Sequence, residues 1–293
     1  MLDSPSAAPA AHPAVRELLA DASIEVSARD LHDAASTVRE VGAGRQVFIP
    51  WTPNVGPGQL VAATARAREL GLVPVPHVVA RRIASESAAR ELLAQLRRNG
   101  AESVLVIGGD LPEPAGPYRS GYALMRTGLL QASGLAEVGV AGYPEGHPRI
   151  AAPALRAELD LKLDYARQSG LRVFVVSQFC FDGALIARWV GDLRARGVAV
   201  PVRAGVAGPT TLTKLLKLGV QCGVGHSLRA LRGRLGALAR LAATHEPGDV
   251  IRDLAEARLA APSLDPLSVH VFAFGGIGPT ARWLGPAHAA IEA

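Results

Sequence analysis

Short apolar runs alternate with amphipathic stretches along the chain, and the runs predict eight strands: 23–27, 46–51, 73–79, 104–107, 137–142, 172–178, 198–204 and 268–274. Val104-Leu-Val-Ile107 is typical: apolar without alternation, as in a strand covered on both faces of a parallel sheet. The stretches between them predict helices near 58–70, 85–98, 121–132, 153–168, 183–196, 210–218, 227–244 (with Ser227 as N-cap) and 249–260. Strands alternating with helices imply parallel pairing. Eight such units predict a single-domain α/β fold, a (β/α)8 TIM barrel over residues 21–293, with residues 1–20 as a loose Ala/Pro-rich tail. A doubly wound sheet is the alternative. It would usually open with a Gly-rich phosphate turn after the first strand, and Ser27-Ala-Arg-Asp30 has no glycine. Pro50, Pro74 and Pro76 argue against the second and third strands, because proline donates no ladder hydrogen bond.

Composition narrows the class. The 293 residues are 49% hydrophobic, enough for one large core. No apolar run reaches the roughly 18 residues of a membrane span, and the N-terminus lacks the basic-then-apolar order of a signal peptide. Cys180 and Cys222 sit in apolar contexts, which fits a reducing cytoplasm better than a disulfide framework. The net charge of +5 is scattered, with arginines such as Arg66, Arg68, Arg97 and Arg98 on helical faces. That excludes the basic stripe of a nucleic-acid binder, while a mild positive balance favours an anionic ligand such as a phosphate-bearing cofactor. His77, His147 and His226 lack metal-ligand spacing, so no metal is expected. No nucleophile elbow or Walker loop occurs, and Gly223-Val-Gly225 and Gly275-Gly-Ile-Gly278 are weak nucleotide signals. A homo-oligomer is left open.

A barrel carries its chemistry where strands end. Reading those ends in order gives Glu25, Thr52, His77, Asp110, then Tyr143, Glu145 and His147, then Gln178 and Asp182. Gly108 and Gly109 remove side-chain bulk just before Asp110, so a ligand can approach the backbone. Glu25 alternates with Ile24 and Val26; if those face the helices, Glu25 points into the barrel. A lone buried carboxyl would have a raised pKa and could donate a proton; a buried salt bridge is the competing expectation. Gln178 both donates and accepts, which suits the edge of a heterocycle, though a loop brace would use it equally well.

Four stretches, in order, resemble the methylenetetrahydrofolate reductase family: Pro76-His77, Gly109-Asp110-Leu111-Pro112, Gly142-Tyr-Pro-Glu-Gly-His-Pro148 and Ser177-Gln-Phe-Cys-Phe-Asp182. The chain is similar to the short catalytic form, as a divergent branch. The resemblance implies a barrel with FAD at its mouth. NADH or NADPH reduces the flavin, which passes hydride to 5,10-methylenetetrahydrofolate and gives 5-methyltetrahydrofolate. It implies Glu25 as general acid, Asp110 against the pterin, and Gln178 against folate and nicotinamide in turn, with Phe181 also in the substrate site. Thr52, His77, Gly109, Asp110, Ala123, Tyr143 and His147 match flavin-contacting positions, and Lys162 stands for a phosphate-side lysine. The chain departs from the family at Ile24-Glu-Val-Ser-Ala-Arg29 around the acid, at Gly108 in place of an arginine, and at Gly275-Gly276 in place of Asn-Arg. These departures leave open a flavin-free or methyltransferase-like folate barrel, and the oxidative direction used in one-carbon catabolism.

Overall fold

Eight parallel strands close on themselves. They are β1 (Ser23–Glu25), β2 (Gln46–Ile49), β3 (Val73–Val79), β4 (Ser103–Ile107), β5 (Glu137–Gly142), β6 (Val173–Ser177), β7 (Val202–Ala207) and β8 (Leu267–Phe272). Each pairs with its neighbour in chain order, and β1 closes the ring by pairing with β8. The expected (β/α)8 barrel is therefore the fold. The structure, a computed structural model, describes residues 13–32, 41–222, 224 and 244–292. Nearly all of the expected 227–244 helix, with Ser227, and also Gly223, Gly225 and His226, lie outside the described residues. Among the described residues no helix is long and apolar enough to cross a membrane.

Alternation along the strands sorts side chains to two cores. Ile24, Val47, Val104, Val140, Val175 and Val271 point outward and are buried against the helices. Phe48, Val75, Leu105, Phe174 and Val176 fill the barrel interior. Gly139 makes room there, since a Cβ would come within 2.7 Å of the Phe174 ring. A third cluster sits at the C-terminal ends of β6 to β8, where Phe179 and Phe181 pack with Leu212 and Leu215.

Both prolines fit within β3. Val73 N donates to Arg45 O, so alternation turns the nitrogens of Pro74 and Pro76 toward β4. Pairing with β4 begins only at His77↔Leu105, past both prolines, so neither costs a ladder bond.

Several expected boundaries move. The seventh strand begins at Val202, not Val198, because Arg194 Nη1 takes the carbonyls of Val198 and Val200 at 2.7 and 2.9 Å and holds that segment as a loop. The expected 121–132 helix is two short ones, α5 (Gly121–Met125) and α6 (Leu129–Ala132), split at Gly128, whose φ of 74° leaves the helical region. The helix expected from Thr210 starts at Leu212, since Thr210–Thr211 pairs with Thr244–His245. Residues 13–20, expected in a loose tail, form α1 (Pro13–Ala20), and Ala14, Val15, Leu18 and Leu19 on it are buried. The other helices are α2 (Ala28–His32), α3 (Pro57–Glu69), α4 (Glu86–Arg98), α7 (Ala152–Ser169), α8 (Gly183–Ala195), α9 (Leu212–Cys222), α10 (Gly248–Ala260) and α11 (Ile277–Glu292).

Candidate active site

Glu25 ends β1 between Ile24 and Val26, both buried in the outer core, so its side chain does enter the barrel. It has company there. His77, two strands away on β3, places Nε2 3.3 Å from Glu25 Oε2. His270 on β8 places its own Nε2 3.7 Å from the same oxygen. Ser23 Oγ lies 2.8 Å from the other ring nitrogen of His270, and both residues are fully buried. Phe48 and Phe272 meet the His270 ring edge-on at 4.5 and 4.7 Å.

This cluster corrects one expectation. A raised pKa was expected for a lone buried Glu25. Burial does push it up, but His77 and His270 together outweigh that and hold it near 2, below the ordinary 4.5. Of the two readings the sequence allowed for Glu25, the paired one is nearer: two buried imidazoles approach one carboxylate oxygen, and that favours the ionised form. His270 is the residue that sequence reasoning missed. The signal was present: Val269 and Val271 are apolar neighbours in a strand, so His270 had to face inward.

The rim is built differently. Asp110 follows β4 and is 76% exposed, paired with Arg149 Nη2 at 2.5 Å. Gly109 before it has φ of 95°, and a Cβ there would strike Val79 Cγ1 at 2.3 Å, so glycine is required. Tyr143 meets His147 edge-on at 5.5 Å. Burial, with Asp110 and Glu158 adding to it, pushes the Tyr143 phenol up to about 12. His147 is pulled below its usual pKa by burial and by Arg149. Thr52 is exposed, and its carbonyl, with that of Trp51, accepts from Arg82. Arg81 braces the loop after Asp110 through the carbonyls of Leu111, Pro112 and Arg119.

The remaining candidates sit deeper or to one side. Gln178 Oε1 accepts from Phe179 N at 3.0 Å. Phe181 is buried, packed edge-on against Phe179 and His245. Ala123 lies on α5, its N–H capped by Ser120 Oγ. Lys162 on α7 is 5% exposed and pairs with Glu158 Oε1 at 3.3 Å; the same oxygen accepts from Tyr122 N on α5 at 2.9 Å. Burial pulls the Lys162 pKa down, against Glu158. The structure thus joins Glu25 to His77, and Asp110 electrostatically to Tyr143 and His147, while Lys162 pairs with Glu158, whose charge also bears on Tyr143. Among the described residues no group of three or more His, Cys, Asp or Glu could hold a metal ion.

Comparison with known proteins identifies the family. Residues 26–225 match the family model described as methylenetetrahydrofolate reductase. "Methylenetetrahydrofolate reductase 2" of Saccharomyces cerevisiae is 26% identical over 202 residues, 64% of this chain and 33% of that protein. "5,10-methylenetetrahydrofolate reductase" of Pectobacterium carotovorum is 28% identical over 154 residues, 53% of this chain and 50% of that protein. The chain therefore matches between a third and a half of the length of these two relatives. Among solved structures, an uncharacterized protein from Clostridium thermocellum, described as binding two copies of 5-methyl-5,6,7,8-tetrahydrofolic acid, shares the fold. Its TM-score is 0.56 at 10% identity, covering 94% of this chain and 99% of that one. Because the family match spans well over half of its residues, this chain belongs to the methylenetetrahydrofolate reductase family.

Proposed function

We propose that this protein interconverts 5,10-methylenetetrahydrofolate and 5-methyltetrahydrofolate, with NADH or NADPH as electron donor and FAD at the barrel mouth. The observation that carries the reading is Glu25. Its carboxyl stands inside the mouth, approached by two imidazoles, where a reacting ligand would meet it. Opening the one-carbon ring of methylenetetrahydrofolate makes a nitrogen basic, and that nitrogen needs a proton from a group held in place.

The residues fit a flavin. Nothing lies within 4 Å of the Cβ position at Gly108, Gly109 can carry no side chain, and His77 Nε2 is buried without an aligned hydrogen-bond partner. Thr52, His77, Gly109, Asp110, Ala123, Tyr143 and His147 would hold the ring and its chain, and Lys162 would meet the phosphates. The flavin, when bound, supplies two-electron transfer. The protein's own part is to orient and protonate. Glu25 is 17% exposed in the open mouth. A planar ligand covering it removes that remaining water, which favours the neutral acid and readies it as donor. Asp110 at the rim places a negative charge beside the pterin, and Gln178 offers an amide to folate or nicotinamide. Phe181 supports the wall behind them.

One observation favours a second reading, a flavin-free folate reductase of the same family. Glu158 already occupies Tyr122 N and the Lys162 ammonium, two groups a diphosphate would use. The colour of the purified protein separates the readings, because bound FAD absorbs at about 450 nm. The decisive test is anaerobic mixing with NADH or NADPH, then with methylene- or methyl-tetrahydrofolate, following both flavin and nicotinamide absorbance. Bleaching and folate-dependent recolouring support the flavin reading. Nicotinamide oxidation by a colourless protein supports the second, and no folate-dependent turnover in either direction overturns both.

A further inference from the structure

The barrel is also open at its foot. Where β1, β2, β7 and β8 begin, a cavity of about 720 Å³ is lined by residues that include Ala22, Gln46, Pro201, Arg203, Pro266 and Leu267. Small-molecule sites occupy roughly 300–1,000 Å³. Glu25 lies at the other end of β1, so this space is separate from the candidate active site.

Arg203 is the member that asks for a ligand. Val202 and Ala204, its neighbours on β7, are buried against the helices, so strand alternation turns Arg203 into the barrel. A guanidinium stays charged at any physiological pH. This one rests on the interior rings, 4.9 Å from the centre of Phe174 and 5.9 Å from that of Phe48. Ring faces support a cation, but they accept no ordinary hydrogen bond. Arg203 Nε is sealed from solvent without a partner, and among the described residues the side chain makes no hydrogen bond or ion pair. Glu137 and Asp21 act on it only through space.

The other cations around the cavity are taken. Arg258 pairs with Glu17 and Asp265. Arg45 gives Nε and Nη1 to the carbonyls of Val41 and Ala22, at 2.7 and 2.5 Å. A charge set in a protein interior without a partner is costly, and Arg203 is the one left for an anion to meet. The lining also selects among anions. Phosphate is usually held by several converging donors, such as a helix N-terminus or a nest of backbone N–H groups. Here one fork stands beside prolines, alanines and a leucine. A carboxylate matches that fork with two parallel hydrogen bonds, and the apolar wall suits a hydrocarbon body.

We propose that the foot of the barrel is a second ligand site, in which Arg203 pairs with the carboxylate of a small organic acid and the apolar wall takes its hydrocarbon part. The site is independent of the reaction assigned to the mouth.

Hexanoate is the probe, and 1-hexanol and inorganic phosphate are the controls. Nitrogen–proton NMR of the full chain follows the Arg203 Nε–H signal, assigned by its absence from Arg203→Lys. The signal should shift saturably at hexanoate concentrations on the order of 1–10 mM. Hexanol, with the same chain and no charge, should leave it in place, as should phosphate. By calorimetry, Arg203→Met should weaken hexanoate binding at least about ten-fold, and Glu25→Gln should bind it like the wild type. An unmoved Arg203 signal overturns the proposal, as does binding that survives Arg203→Met. Binding lost in Glu25→Gln would put the probe in the mouth and overturn it too. A shift with phosphate as large as with hexanoate overturns the assignment of a carboxylate. If Arg203→Met fails to fold, the wild-type signal, which needs no variant at the site to respond, decides.

Discussion

Glu25 and Asp110, two of the carboxylates at the strand ends of this barrel, are held in opposite ways. Glu25 enters the interior, shares one oxygen with two buried histidines, and has its pKa drawn down to about 2. Asp110 stands on the rim, 76% exposed, paired with an arginine that is itself 64% exposed. Distance does not separate them, for the rim pair is the shorter one. What differs is the medium. A charge in a low-dielectric interior interacts several-fold more strongly with the groups around it than one in water, and it leaves those groups stranded when it is removed. The first pair can therefore set chemistry, while the second can only adjust it.

The largest effect should come from removing the inner charge. Glu25→Gln should lower folate turnover by about 10²–10⁴-fold, the usual worth of a positioned acid, while oxidation of NADH or NADPH with an artificial acceptor persists. Stability carries a second mark of the same pair. A carboxyl whose pKa falls on folding stabilises the native state above its unfolded value of 4.5, and that stabilisation is lost as pH drops toward 2. Denaturation followed from pH 5 to 2 should show a steep loss in the wild type and a shallower one in Glu25→Gln. Equal slopes, or full folate turnover in the variant, would break the contrast between the two carboxylates.

A second inner pair shows whether burial alone gives this behaviour. Lys162 is buried against Glu158 beside α5. Glu158→Gln keeps an acceptor for Tyr122 N but strands the ammonium, and should cost about 2 kcal/mol, discounted from a fully buried pair because Glu158 is 30% exposed. An anion can refill the place. FAD should therefore raise the melting temperature of Glu158→Gln more than that of the wild type. An equal rise in both would separate Lys162 from the cofactor.

The contrast also shows how far the sequence could be read. Strand parity put Glu25 inside the barrel, because Ile24 and Val26 are apolar neighbours, and the order of strands and helices gave the closed barrel. What stayed hidden was the company Glu25 keeps. His77 and His270 are 52 and 245 residues from it along the chain, and only closure of β1 onto β8 makes His270 its neighbour. A pKa depends on such neighbours, so the reading of Glu25 as a lone, raised acid failed while the reading of its direction held. The seventh strand was misplaced for a related reason. Nothing local in Val198-Ala-Val200 reveals that Arg194 will claim its carbonyls. The helix at residues 13–20 went unseen because its apolar face makes sense only against α10, α11 and β8, all distant in the chain.

On the rim the expected effects shrink. If Asp110 faces the pterin as proposed, Asp110→Asn should slow folate turnover by about ten-fold, roughly 1.4 kcal/mol of transition-state stabilisation, by removing that negative charge without disturbing the acid. Its effect should fall as salt is added, since exposed charges are screened beyond roughly 10 Å at 0.1 M ionic strength.

Arg149→Ala should change least. The Asp110–Arg149 pair is short, yet both side chains lie mostly in water, where such pairs contribute less than about 1 kcal/mol. Melting temperature should stay within about 2 °C of the wild type. Arg149 also bears on His147, whose pKa its charge helps to lower. Loss of the arginine should therefore raise the His147 pKa, visible in its proton NMR titration, with the Glu25 cluster unmoved. A large loss of stability instead would mean that the rim is as tightly coupled as the interior, and the division between the two carboxylates would fail.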